Sequence, residues 1–208
     1  MEYDETHNGP QTFRIDIGHW SPEHQAFWTE RVGRRYLLSV VPTMARKGKI
    51  LEIGAAWYNT YQKEIVGGEN ELTIIDIKER HHPDIVAIHG LDRYIQFDMT
   101  ESVCDPSGDG AQGDCREYFD EIRSWGVLSH YGFSRDQCRN YLENIRLFLK
   151  PGGQAIFKLD IDTYKTVKQL PSIGPDYLEG LIRERFTVVH ADTLGGNTPG
   201  HVLYVEKQ

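Results

Sequence analysis

Three short apolar runs, each ending at a glycine or an aspartate, recur through the middle of the chain and restrict its fold more than any other feature. They are Lys49-Ile50-Leu51-Glu52-Ile53 before Gly54, Leu72-Thr73-Ile74-Ile75-Asp76-Ile77, and Tyr94-Ile95-Gln96-Phe97 before Asp98. Runs rich in Ile and Leu, bounded by turn formers, read as strands buried on both faces. A fourth strand is expected over about Tyr118 to Trp125 and a fifth over Gln154 to Leu159. Two late strands follow, Phe186 to His190 and His201 to Val205. The Gly195-Gly196-Asn197-Thr198-Pro199-Gly200 segment between them has the composition of a hairpin loop.

Helical signals fall between these runs. Ser134-Arg135-Asp136-Gln137 has the form of a capping box, and Cys138, Tyr141, Leu142, Ile145, Phe148 and Leu149 then recur on one helix face. Lys150-Pro151-Gly152-Gly153 stops that helix. Ser21-Pro22-Glu23 starts an earlier helix that carries Trp28, Val32, Tyr36, Leu37, Val40 and Val41 and ends near Pro42. Strands interleaved with helices predict a parallel sheet with helices on both faces, and the closing hairpin predicts one antiparallel strand. Residues 1–45 read as an N-terminal arm and cap helix, and 46–208 as one α/β domain.

Charge and composition narrow the function. The formal net charge of −8 disfavours a phosphate backbone as partner. No apolar run approaches the ~20 residues that span a bilayer, and the acidic start lacks a signal-peptide pattern. A cytoplasmic monomer or homodimer is the expectation, with no membrane partner. The three cysteines, Cys104, Cys115 and Cys138, form no CxxC pair, and the spacing of His81, His82, Asp84 and His89 matches no standard metal site. No metal is expected.

In wound parallel sheets, ligands bind beyond the carboxyl ends of the strands. The first strand ends in Glu52, Ile53, Gly54 and Ala55, where glycine permits a tight turn beside a ligand. The second ends at Asp76 and Ile77, and a carboxylate there can accept both hydroxyl hydrogens of a ribose. The third ends at Asp98 and Met99, a carboxylate and a thioether that suit the amine and the ring of adenine.

With these motifs in order, the chain resembles the class I S-adenosyl-L-methionine (SAM) methyltransferases over about residues 48–205. Ile50-Leu51-Glu52-Ile53-Gly54 resembles their first motif, and Asp76 and Asp98 their ribose and adenine acids. The Phe119 to His130 segment is similar to their fourth-strand motif, and Leu149-Lys150-Pro151-Gly152-Gly153 to the signature before their fifth strand. The resemblance implies a Rossmann-like three-layer sandwich with a seven-stranded, mostly parallel sheet of order 3-2-1-4-5-7-6, strand 7 antiparallel. It implies SAM as cofactor, held by Glu52, Gly54, Ala55, Asp76, Ile77, Asp98 and Met99.

The first motif departs from the usual acid-x-Gly-x-Gly-x-Gly. Ala56 and Tyr58 stand where the later glycines would be, which leaves two expectations: the loop takes another path and the Trp57 and Tyr58 rings line the pocket, or the rings crowd the methionine end and the site no longer binds SAM well. His130, just past the fourth strand, is the candidate base, because an imidazole that titrates near neutrality suits removal of an acceptor proton. Trp20, Trp57, Tyr58, Tyr131 and Asp160 are the candidate acceptor contacts. The expected activity is methyl transfer to oxygen or nitrogen of a small metabolite such as a sugar or a natural-product intermediate. The alternative is a catalytically inactive binding or scaffolding module of the same fold.

Overall fold

The computed structural model describes residues 48–54, 70–79, 92–104, 115–130, 133–160, 173–194 and 200–208. The expected N-terminal arm and cap helix (1–45), the segment with Ala55, Trp57 and Tyr58, and most of the hairpin loop lie outside the described residues. Among the described residues, no helix is long and apolar enough to cross a membrane.

The strands are β1 (Lys49–Ile53), β2 (Glu71–Asp76), β3 (Arg93–Gln96), β4 (Phe119–Trp125), β5 (Leu149–Asp160), β6 (Phe186–Leu194) and β7 (Gly200–Lys207). The described helices are α1 (Val127–His130), α2 (Arg135–Phe148) and α3 (Pro175–Arg183). The seven strands form one sheet of order β3-β2-β1-β4-β5-β7-β6. β1 pairs in parallel with β2 and β4, as do β2 with β3 and β4 with β5. β7 runs antiparallel between β5 and β6. The expected topology is therefore the observed one.

The elements differ from the sequence expectation in three places. β2 stops at Asp76, so Ile77 is not a strand residue and is 64% exposed. The Lys150-Pro151-Gly152-Gly153 signature does not separate α2 from β5 but lies inside β5. Leu149, the C-cap of α2, is already extended and pairs with Phe119, and the ladder resumes at Glu121 with Gln154, so the signature bulges out of the ladder. Gly152 takes φ +71 there. The third difference is α3, for which no element was expected. Its signals are local: Pro175 in the first turn, Asp176 beside it, and buried Leu178, Leu181 and Ile182 at helical spacing.

Register assigns the faces of the sheet, because paired residues point the same way and neighbours along a strand alternate. One face presents Leu51, Ile53, Ile75, Ile122, Ala155, Phe157, Leu159, Leu203 and Val205. These pack into one core with Cys138, Tyr141, Leu142, Ile145 and Phe148 of α2 and with the buried side of α3. The other face carries Ile50, Leu72, Ile74, Ile156, Val202 and Tyr204, and with them the charged Glu52, Glu121, Arg123 and Lys158. All ten are buried, the most accessible at 3%.

Arg123 stands opposite Glu52 in the β1–β4 ladder. Its Nη1 donates to Glu52 Oε2 at 3.3 Å, and its Nε lies 3.2 Å from Glu121 Oε1. A guanidinium between two carboxylates offsets much of the desolvation that each charge costs alone. Arg123→Ala takes that cation away from two buried acids and is expected to cost about 3–5 kcal/mol, read as a lower denaturant midpoint. A loss under about 1 kcal/mol would show that the charges are not coupled.

β1 ends in a turn that only glycine fits. Gly54 has φ +66, its amide donates to the Ile75 carbonyl of β2 at 2.9 Å, and a Cβ there would sit 2.8 Å from Val127 Cγ2. Gly54→Ala meets both the left-handed penalty of about 1–2 kcal/mol and that contact. An unfolding midpoint equal to the parent's would refute this account of the turn.

Candidate functional site

The carboxyl ends of β1, β2 and β3 meet α1 and the start of α2 around a cavity of about 150 Å³. Ile53 and Gly54 line it from β1, Ile75 and Asp76 from β2, with Ile77 and Lys78 just beyond. Phe97, Asp98, Met99 and Thr100 follow β3, and Val127, Phe133 and Tyr141 close the helical side. The cavity is largely apolar, and an aspartate from each of two adjacent strand ends is among its lining residues.

Both acids are held by short local turns. Asp76 Oδ1 accepts from the Lys78 amide at 2.9 Å. The hydroxyl of Tyr94 donates to the Lys78 carbonyl and fixes the same turn from β3. Burial, and after it the nearby Asp76 charge, push that hydroxyl up to about 12, so it remains a donor at neutral pH. Asp98 Oδ1 accepts twice from Thr100, from the amide at 2.8 Å and from the hydroxyl at 2.7 Å. Short side chains that bond the backbone two residues on are a common way to shape such turns.

The helical wall is equally fixed. Tyr141 is 1% exposed, and its hydroxyl shares a 2.8 Å hydrogen bond with Ser124 Oγ at the end of β4. Burial raises its pKa strongly while the Ser124 bond works the other way, so the phenol stays neutral. Phe133 stacks on Tyr141 with ring centroids 6.3 Å apart. Ser134 follows at once as N-cap of α2, with Gln137 completing the capping box. The cap thus sets the helix start and, through Phe133, one wall of the cavity.

The structure brings Gly54, Asp76, Ile77, Asp98 and Met99 together on this cavity. Glu52 is elsewhere: it is fully buried on the other face of the sheet, against Arg123. His130 ends α1, just past β4, and Asp160 ends β5, which places both backbones at the same end of the sheet. Ala55, Trp20, Trp57, Tyr58 and Tyr131 lie outside the described residues. Among the described residues, no group of three or more His, Cys, Asp or Glu side chains is arranged to hold a metal ion.

Sequence reasoning missed Thr100, Val127, Phe133 and the wall role of Tyr141. Phe133 was findable, as a large apolar residue directly before a capping-box serine. The Tyr141–Ser124 pair was not, because it joins two elements that only the packed sheet brings together.

No protein-family model matches the chain, and no curated protein matches it. Solved structures do. N-methyltransferase NodS from Bradyrhizobium japonicum, in complex with S-adenosyl-L-homocysteine, is 19% identical with TM-score 0.57, over 77% of this chain and 79% of that one. A 1,6-didemethyltoxoflavin-N1-methyltransferase from Burkholderia thailandensis, with its namesake compound and S-adenosylhomocysteine bound, is 15% identical with TM-score 0.57, over 100% of both chains. A TehB-like SAM-dependent methyltransferase from Corynebacterium glutamicum is 18% identical with TM-score 0.55, over 79% of this chain and 83% of that one. Identities this low establish the fold and nothing finer. The chain has the Rossmann-like fold of the class I methyltransferases.

Proposed function

We propose that this chain is a SAM-dependent methyltransferase acting on a small molecule. The carrying observation is that Asp76 and Asp98, at the ends of adjacent parallel strands, both line one largely apolar cavity beside the Gly54 turn. That set fits an adenosine: an acid for the ribose hydroxyls, a second for the exocyclic amine, and apolar side chains for the faces of the base. Two of the similar structures hold S-adenosylhomocysteine, which supports the same reading.

When bound, SAM supplies a methyl group already activated on a sulfonium. The chain's own work is then to position the acceptor and take its proton. Asp76 holds the ribose. Asp98 takes the adenine amine, and Ile77 and Met99 pack against the ring. Gly54 and Ala55 keep the backbone close to the donor. Glu52, buried against Arg123, acts on the donor's amino-acid end by fixing the strand that delivers the loop. His130 is the proposed base or acceptor orienter, and Trp20, Trp57, Tyr58, Tyr131 and Asp160 are the proposed acceptor contacts. The acceptor atom is nitrogen or oxygen, and the two N-methyltransferases among the similar structures favour nitrogen. A soluble, cytoplasmic setting and a monomer or homodimer accompany this reading.

Calorimetric titration with S-adenosylhomocysteine tests the donor site directly. Saturable 1:1 heat is expected, and Asp76→Ala should weaken it by about 1–3 kcal/mol through loss of the ribose hydrogen bonds. A parent protein that gives no binding heat would refute the donor-site reading. An unchanged affinity in the variant would refute the ribose assignment alone.

A further inference from the structure

α2 has a second face that its apolar pattern does not explain. Gln137, Asn140 and Asn144 follow one another at i, i+3 and i+7, so they share a side of the helix. All three amides reach the segment that follows β3, residues 98–104. Asn144 is fully buried and makes three hydrogen bonds there. Its Nδ2 donates to the Met99 carbonyl and the Ser102 carbonyl, each at 2.9 Å. Its Oδ1 accepts from the Cys104 amide at 2.7 Å. One turn earlier, Asn140 Nδ2 donates to the carbonyls of Thr100 at 3.0 Å and Glu101 at 3.2 Å. At the helix start, Gln137 Nε2 lies 3.5 Å from Thr100 Oγ1, the hydroxyl that itself donates to Asp98 Oδ1.

The segment has no strand or helix of its own to satisfy these backbone groups. The Met99 carbonyl and the Cys104 amide are buried and would be costly without partners, so Asn144 fixes both ends of the segment, and Asn140 adds two bonds to its more exposed middle. Asp98 and Met99, at its start, are assigned above to the amine and, together with Ile77, to the ring of the base. The segment that begins with Asp98 is therefore held by helix amides that are not among the cavity-lining residues.

We infer that Asn144 and Asn140 are positioning residues for base recognition, a role that rests on the donor-site reading: they hold the 98–104 segment so that the Asp98 carboxylate meets an exocyclic amine. A carboxylate locked in this way discriminates between an exocyclic group at position 6 that donates and one that only accepts. It favours a 6-aminopurine and repels a 6-oxopurine, whose oxygen would face it. With the amide contacts removed, the segment relaxes, the carboxylate loses its aim, and the preference shrinks.

The test compares S-adenosylhomocysteine with its deaminated counterpart, S-inosylhomocysteine, by calorimetry on the full chain. The parent should favour the amino ligand by at least about tenfold, the difference of roughly one well-placed hydrogen bond. Asn144→Leu keeps the side-chain size and removes all three bonds. Asn140→Ala, at a half-buried position, keeps the fold even if the buried variant does not. Both should bring the two affinities closer by weakening the amino ligand selectively. Loss of affinity for both ligands in equal proportion would show a merely structural role and overturn the inference. So would an undiminished preference in Asn140→Ala together with Asn144→Leu. A parent that binds neither ligand would instead overturn the donor-site reading itself, and a parent that binds both alike would overturn the assignment of Asp98.

Discussion

Gly54 is where three elements of this protein meet, and the site exists because they can approach there. Its amide extends the β1–β2 ladder to the Ile75 carbonyl, its positive φ turns the chain away, and its missing side chain admits Val127 from α1. A side chain at this point would drive α1 from β1 and open the wall that Val127 gives the cavity. A parallel sheet concentrates such meetings at one edge, since all its strands deliver their carboxyl ends to the same side. Asp76 and Asp98 are brought together by that geometry, although 22 positions separate them in sequence.

The two faces of the sheet solve different problems. The face toward α2 and α3 is apolar apart from small hydroxyls such as Thr73 and Ser124, and it fixes the helices by close packing. The opposite face buries Glu52, Glu121, Arg123 and Lys158. Arg123 fixes β1 against β4 by charge pairing across the register, close to the strand end that carries Gly54. A slip of register would separate Arg123 from Glu52 in a buried setting and leave both charges without their partner, which is costly. The turn at the end of β1 is thus set from both faces.

Much of this was legible in the residues. The apolar runs and their closing Gly or Asp gave strands β1 to β3 to within a residue or two, and the interleaving gave the sheet order through the family likeness. Either of the strand-end acids Asp76 and Asp98 alone reads as a turn former, which each also is; they were visible because acids recur at successive strand ends in the order the family likeness implies. Asn140 and Asn144 were not visible. On a helix, polar residues at that spacing read as a solvated face, and only contact with the 98–104 segment makes Asn144 a buried one. Arg123 was hidden for a related reason: Glu121-Ile122-Arg123 alternates like a half-exposed strand, while in the fold both faces are covered. Glu52 was read as facing the ligand, because the motif that names it carries no information on its partner across the ladder. α3 was overlooked although its proline start and apolar spacing are present in the sequence.

A crystal structure of the chain grown with S-adenosylhomocysteine locates the adenosine relative to the two strand-end acids. The adenosine is expected in the cavity beside Gly54, with the ribose hydroxyls on Asp76 and the exocyclic amine on Asp98. Density for the ligand at another place, or an adenosine turned so that neither carboxylate touches it, would contradict the account.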